Sequence, residues 1–188
     1  PESIVKEIEK AKDKAKTSSY WKNWWRVYGL GEVGQLEGAC IPDWKEIKEV
    51  PNEAKLVGAG LDFGYTVDST SIVNLYKYND TFIFDEVLYR TGMLNRDISN
   101  FIKNNNINCN IYADSAEPKS IAEIRLSGID VFPVTKGRDS IVYGINLINQ
   151  NKVFVTHRSK NLKKELEGYV WMKDKQGNTL QKPNPLTG

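Results

Sequence analysis

The stretch from Leu56 to Thr66, LVGAGLDFGYT, is an apolar run of the kind that fills a buried strand. One ionisable side chain, Asp62, interrupts it just before Phe63 and Gly64. A second run of the same shape, CNIYADSA from Cys109 to Ala116, again carries a lone aspartate, Asp114, near its far end. Taken singly, an aspartate at a strand end is also what a turn or a helix cap requires. Two such residues, on strands joined through a helix, constrain the fold more tightly. A strand reached through a helix tends to return parallel to an earlier one with a right-handed connection. If Asn110–Ala113 docks beside Leu56–Tyr65, the C-terminal ends of both strands lie together. Asp62 and Asp114 then share one edge of the sheet, where ligand sites in sheets of this kind gather.

The segments between the two runs support that topology. Ser71–Tyr78 (SIVNLYKY) alternates apolar and polar residues as a half-exposed strand, Asn79 and Asp80 supply a turn, and Thr81–Tyr89 (TFIFDEVLY) reads as the next strand. With Leu56–Tyr65 they form an antiparallel meander. Asn95–Lys103 places Ile98, Phe101 and Ile102 on one face, with Asn95 as cap, and is read as the crossover helix. After Asp114, SAEPKSIAEIRLSG reads as a helix with Pro118 in its first turn and Gly128 past its end. Val131–Thr135 reads as a strand that Pro133 places at or near an edge. KGRDSIVYGINLINQ gives a basic turn, a cap at Asp139 or Ser140, and an apolar helix. Lys152–Thr156 reads as a short strand, Lys160–Trp171 as a last helix, and the tail from Lys173 as turns. The expected class is α/β: a mixed sheet, an antiparallel three-strand meander plus parallel strands, flanked by helices.

Upstream, residues 2–17 read as a helix with Ile4, Ile8, Ala11 and Ala15 along one side. Tyr20, Trp21, Trp24, Trp25 and Tyr28 follow, interleaved with Lys22 and Arg26, an arrangement suited either to stacking on bases or to burial against a neighbouring domain. The domain reading is a helical, aromatic-rich linker over 1–52 and a folded domain over 53–188.

Composition excludes several chemistries. Cys40 and Cys109 lack CxxC spacing and His157 is the only histidine, so a zinc site, a disulfide framework and a histidine triad are not suggested, and a reducing interior is expected. A net charge of +2 assigns any nucleic-acid contact to local patches. No apolar run is long enough to cross a bilayer and no N-terminal signal pattern is present.

Two carboxylates held close together repel, and a divalent cation removes the conflict. Carboxylate oxygens without cysteine or histidine nearby favour Mg²⁺ or Mn²⁺. Two such ions about 3.5 to 4 Å apart suit phosphodiester hydrolysis. Lys136 and Arg138 sit in the turn before a helix, where cations and backbone N–H groups hold phosphate, and Lys119 is a further candidate. Asp68 is assigned to the turn into the second strand, Glu117 to a helix cap and His157 to a structural role.

The residues GLDFGYT, YADSAEPKSIAEIR, TKGRDSIVYGI (135–145) and ELEGYVW (165–171) together resemble the ribonuclease H-like nuclease domain of the large terminase subunit of tailed bacteriophages. The aromatic segment ending in IPDW is similar to the linker that follows the packaging ATPase in that family. The resemblance implies a metal-dependent endonuclease cutting concatemeric, double-stranded viral DNA during genome packaging, with Asp62 and Asp114 as catalytic, metal-binding acids of a two-ion Mg²⁺ or Mn²⁺ site. It implies the portal and the small terminase subunit as partners, the host cytoplasm as location and no membrane. In the family a third acid follows a proline-containing turn similar to KPNPLTG, which puts it beyond Gly188 and implies incomplete metal binding by this chain. Glu86, Asp139, Glu165 and Glu167 are stand-ins with ordinary surface, cap or strand-edge roles. No GxxxxGK[ST] loop is present, so ATP hydrolysis would belong to a preceding domain. Two other readings are an actin-like ATPase or sugar-kinase lobe, because LDFGYT also fits a DxGxT phosphate loop, and a non-catalytic DNA- or portal-docking module.

Overall fold

The computed structural model describes residues 38–65, 67–135, 137 and 139–184. The helix read over 2–17, the aromatic cluster at 20–28, and Lys136 and Arg138 lie outside the described residues. The chain divides into two compact units, Asp43–Leu162 and a second that contains the described residues 38–42 and 163–184.

The first unit is built on a seven-stranded mixed sheet in the order β1-β7-β4-β3-β2-β5-β6. Its strands are β1 (Trp44–Ile47), β2 (Lys55–Asp62), β3 (Thr70–Tyr78), β4 (Thr81–Arg90), β5 (Ile111–Asp114), β6 (Val131–Val134) and β7 (Lys152–Thr156). The meander β2-β3-β4 is antiparallel, and β5 joins β2 in parallel through helix α1 (Asn95–Asn104), as the crossover rule requires. Among these strands β3 alone runs against the rest. The C-terminal ends of β2, β4, β5, β6, β7 and β1 therefore all point to one edge.

Helices α1 and α2 (Pro118–Leu126) cover one face of the sheet. Ile98, Ile102, Ile121 and Ile124 pack there against Ala59, Leu61, Ile72, Leu88, Ile111, Ala113 and Val131. The period-2 alternation of β2 and β5 places these residues inward. Helix α3 (Ser140–Asn149) lies against β7. Pro133 sits on β6, the outermost strand, where a missing N–H breaks no ladder.

Local details depart from the sequence reading. The cap of α1 is Leu94, whose N–H donates to the Asp97 carboxylate at 3.1 Å, while the Asn95 side-chain amide donates to Glu123 at 2.8 Å. Asp139 does occupy the cap position of α3, in the left-handed region at φ 65°, without a side-chain hydrogen bond to the helix. Trp44–Ile47, read as linker, forms the edge strand β1 and pairs in parallel with β7.

The second unit replaces the expected turn-like tail with a two-stranded antiparallel ribbon, β8 (Trp171–Lys173) and β9 (Thr179–Pro183). Asp174 makes its turn by accepting N–H groups of Gln176 at 2.9 Å and Asn178 at 2.8 Å, and Gly177 takes the positive φ of 87° that the reversal needs. These bonds hold the Asp174 carboxyl below the usual range, the side chain and backbone of Asn178 contributing most. Helix α4 (Lys160–Gly168) ends at a glycine instead of running to Trp171.

Candidate metal centre

The β2–β5 register pairs Ala59 with Ile111, Gly60 with Tyr112 and Leu61 with Ala113, so Asp62 and Asp114 are the next positions on neighbouring parallel strands. Such strands lie about 4.8 Å apart. Leu61 and Ala113 point into the core, at 4% and 1% exposure, so alternation turns both aspartates to the opposite side of the sheet. Asp62 is exposed and Asp114 half-buried. Ser71 flanks Asp62 across the β2–β3 pair and Val134 flanks Asp114 across the β5–β6 pair. One Asp114 oxygen, Oδ1, accepts the Ala116 N–H at 2.9 Å and forms the turn out of β5. Turn formation and metal binding are therefore compatible at this residue, because a carboxylate has capacity for several partners.

The chain after Asp62 is held by a glycine. Thr70, fully buried, donates its hydroxyl to the Gly64 carbonyl at 2.7 Å and accepts the Gly64 N–H at 3.3 Å. A Cβ on residue 64 would stand 2.4 Å from the Asp68 carbonyl oxygen. The obstructing atoms are backbone, so the loop itself must move. Gly64→Ala is expected to destabilise the domain by about 3 kcal/mol, as overpacking does, read as a lowered urea midpoint with an unchanged slope.

Lys119 is exposed in the first turn of α2, five residues after Asp114 in sequence. Glu117 holds the cap position of α2, yet its carboxylate bonds the Ser120 hydroxyl at 3.2 Å and not a backbone N–H. Of the stand-in acids, Glu86 is committed elsewhere: it accepts the Asn161 amide at 2.9 Å and the Leu162 N–H at 2.6 Å, capping α4. Glu165 and Glu167 belong to the second unit, and desolvation raises the Glu167 carboxyl against the opposing pull of Lys163. His157 donates its N–H to Ile47 at 2.7 Å and its Nδ1 meets Glu46, which ties β7 to β1. Among the described residues, no three or more His, Cys, Asp or Glu side chains gather into a metal cage. The two aspartates are an oxygen-only donor pair of the class that Mg²⁺ and Mn²⁺ accept while keeping water and substrate oxygens as their other ligands.

Asp85 escaped the sequence reading. It is 1% exposed, accepts the Thr156 hydroxyl at 2.7 Å and Arg158 Nε at 2.7 Å, and pairs its second oxygen with Arg158 Nη2. The hydrogen bond to Asp85 is the main cause that raises the Arg158 guanidinium above its ordinary range, against desolvation. Ser159 completes the network by bonding the Thr156 hydroxyl at 2.7 Å and accepting the Glu86 N–H at 2.7 Å. The available signal was the acid pair Asp85-Glu86 inside an apolar strand: alternation forces one of the two inward.

A family described as the terminase RNAseH like domain matches residues 62–186. The large terminase subunit of Bacillus phage SPP1 is 29% identical over 153 residues, which cover 78% of this chain and 35% of that protein. The PBSX phage terminase large subunit of Bacillus subtilis strain 168 is 27% identical over an alignment 199 positions long that covers 96% of this chain and 43% of that protein. The chain thus spans less than half the length of these relatives. The SPP1 large terminase nuclease domain, crystallised with bound Mn, superimposes with a TM-score of 0.68 at 23% identity over 78% of this chain and 90% of that one. A large terminase from a thermophilic bacteriophage gives a TM-score of 0.59 at 19% identity over 87% of this chain and 47% of that one. At these identities the structural likeness speaks for the ribonuclease H-like fold. The family match begins at Asp62, the last residue of β2, and takes in β3 to β9, and this chain belongs to the terminase RNase H-like domain family.

Proposed function

We propose that this chain is a divalent-metal-dependent endonuclease domain that cuts concatemeric double-stranded viral DNA during genome packaging, with Asp62 and Asp114 as its catalytic, metal-binding acids. The observation that carries the reading is the β2–β5 register, in which these acids follow Leu61 and Ala113 as the next neighbours on one sheet edge. The Mn carried by the SPP1 nuclease domain supports the choice of ion. When bound, Mg²⁺ or Mn²⁺ at a two-ion site activates water and steadies the leaving 3′ oxygen.

The chain's own contributions are positional and electrostatic. Asp62 and Asp114 supply the negative charge that retains the ions beside the phosphate. The Asp114–Ala116 bond fixes the direction of one carboxylate, and the Gly64–Thr70 clasp fixes the backbone beyond the other. Lys119, with Lys136 and Arg138, attracts the phosphate backbone of DNA. Portal and small terminase subunit are the chain's packaging partners, in the host cytoplasm. No helix among the described residues is long and apolar enough to cross a membrane.

The test is supercoiled plasmid incubated with the purified chain in Mn²⁺, Mg²⁺ or EDTA. Slow conversion to relaxed and linear products in Mn²⁺, suppressed by EDTA, is the expected result. Cleavage that persists in EDTA, or an absence of both cleavage and calorimetric Mn²⁺ binding, refutes the proposal.

A further inference from the structure

Three strands set one row at the edge that carries the acids. Asp62 pairs with Ser71 across β2–β3, and Ser71 pairs in turn with Tyr89 across β3–β4. The preceding row, Leu61, Ile72 and Leu88, is buried in the core packed by α1 and α2, so alternation turns Asp62, Ser71 and Tyr89 together to the opposite face. Ser71 therefore stands beside Asp62 on the face to which both acids turn.

The residue type is not one that the strand itself asks for. On this face β3 continues as Val73 and Leu75, apolar side chains that suit a half-buried pleated surface, and a serine adds little to such packing. What it adds is a hydroxyl. Directly opposite residues of an antiparallel pair have Cβ atoms about 4.5 to 5.5 Å apart, a span that a serine hydroxyl and an aspartate carboxylate bridge with an ordinary hydrogen bond. The pair is also held from below: Thr70, fully buried and adjacent to Ser71, clasps the N–H and the carbonyl of Gly64, two residues past Asp62. The two strand ends are thus tied together where the acid stands.

The second acid shows what such a donor does. One Asp114 oxygen accepts the Ala116 N–H at 2.9 Å, while the lateral neighbour on β6, Val134, has no side-chain donor. At Asp62 the lateral neighbour is the donor. Carboxylates that bind metal ions are themselves hydrogen-bonded by neighbouring groups, which fix their orientation. Resting on the nuclease reading, we propose that Ser71 is a positioning residue, whose hydroxyl donates to one Asp62 oxygen and so presents the other to the divalent cation.

Ser71→Thr and Ser71→Val make a matched pair of similar shape, both suited to a strand, that differ chiefly in the hydroxyl. Titration of the DNA-free chain with Mn²⁺, followed by paramagnetic broadening of the Leu61 and Ala113 amides, reads ion affinity without any cleavage. Ser71→Thr is expected to bind Mn²⁺ as the wild type does and Ser71→Val about tenfold or more weakly, with equal thermal midpoints. In the plasmid assay the Ser71→Val rate is expected to recover as Mn²⁺ is raised, because an orienting group governs uptake of the ion. Equal Mn²⁺ affinities of the two variants overturn the role of Ser71, and the nuclease reading stands if EDTA still suppresses wild-type cutting. A Ser71→Val chain that binds Mn²⁺ normally yet cuts poorly at every Mn²⁺ concentration overturns it too, since the hydroxyl then serves the substrate. Absence of broadening at these amides in the wild type also overturns it, and together with absence of cleavage refutes the nuclease reading itself.

Discussion

Asp62→Asn is expected to lower Mn²⁺-dependent plasmid cleavage by at least about 100-fold, since even changes to the residues that merely orient metal ligands cost about 10- to 100-fold. The substitution keeps shape and removes the charge that retains the ion. Asp114→Asn is expected to act alike while leaving the fold intact, because an asparagine Oδ1 still accepts the Ala116 N–H that turns the chain out of β5. Asp130→Asn, a charge removed from the loop before β6, serves as the control and should cut as wild type does. Cleavage rates and thermal midpoints measured together separate lost chemistry from lost structure. Undiminished cutting by the Asp62→Asn, Asp114→Asn double variant ends the assignment.

The largest stability effect is expected at Arg158→Met, about 3 kcal/mol or more. It leaves the Asp85 carboxylate, 2% exposed as a side chain, buried without its countercharge. Urea unfolding reads the loss directly. Adding Asp85→Asn to Arg158→Met removes the stranded charge and should restore at least half of the stability. Failure of that rescue would show that Arg158 acts through packing instead of charge.

The sheet's centre was legible because its signals are local. SIVNLYKY and TFIFDEVLY alternate, Asn79-Asp80 turns between them, and one amphipathic helix returns the chain to the partner of β2. Those features were enough to put Asp62 and Asp114 on one edge. The parts that were missed depend on distant partners. WKEI has no strand pattern of its own and becomes β1 only by pairing with β7. The β8–β9 ribbon rests on the side-chain bonds of Asp174, whose turn residues were visible while its weakly patterned flanks were not. At Asp85 and Glu86 alternation requires one inward acid, but the choice is made by Thr156 and Arg158, far along the chain.

The insertion of β7 between β1 and β4 has a consequence for synthesis. Trp44 leaves the ribosome long before Val153, its partner, and the other side of β7 is needed by Phe82 as well. The earliest strand of the sheet is therefore the last to be able to dock, and until Lys152–Thr156 emerges, the nascent domain exposes the flank of β4 as an open edge that invites wrong pairing.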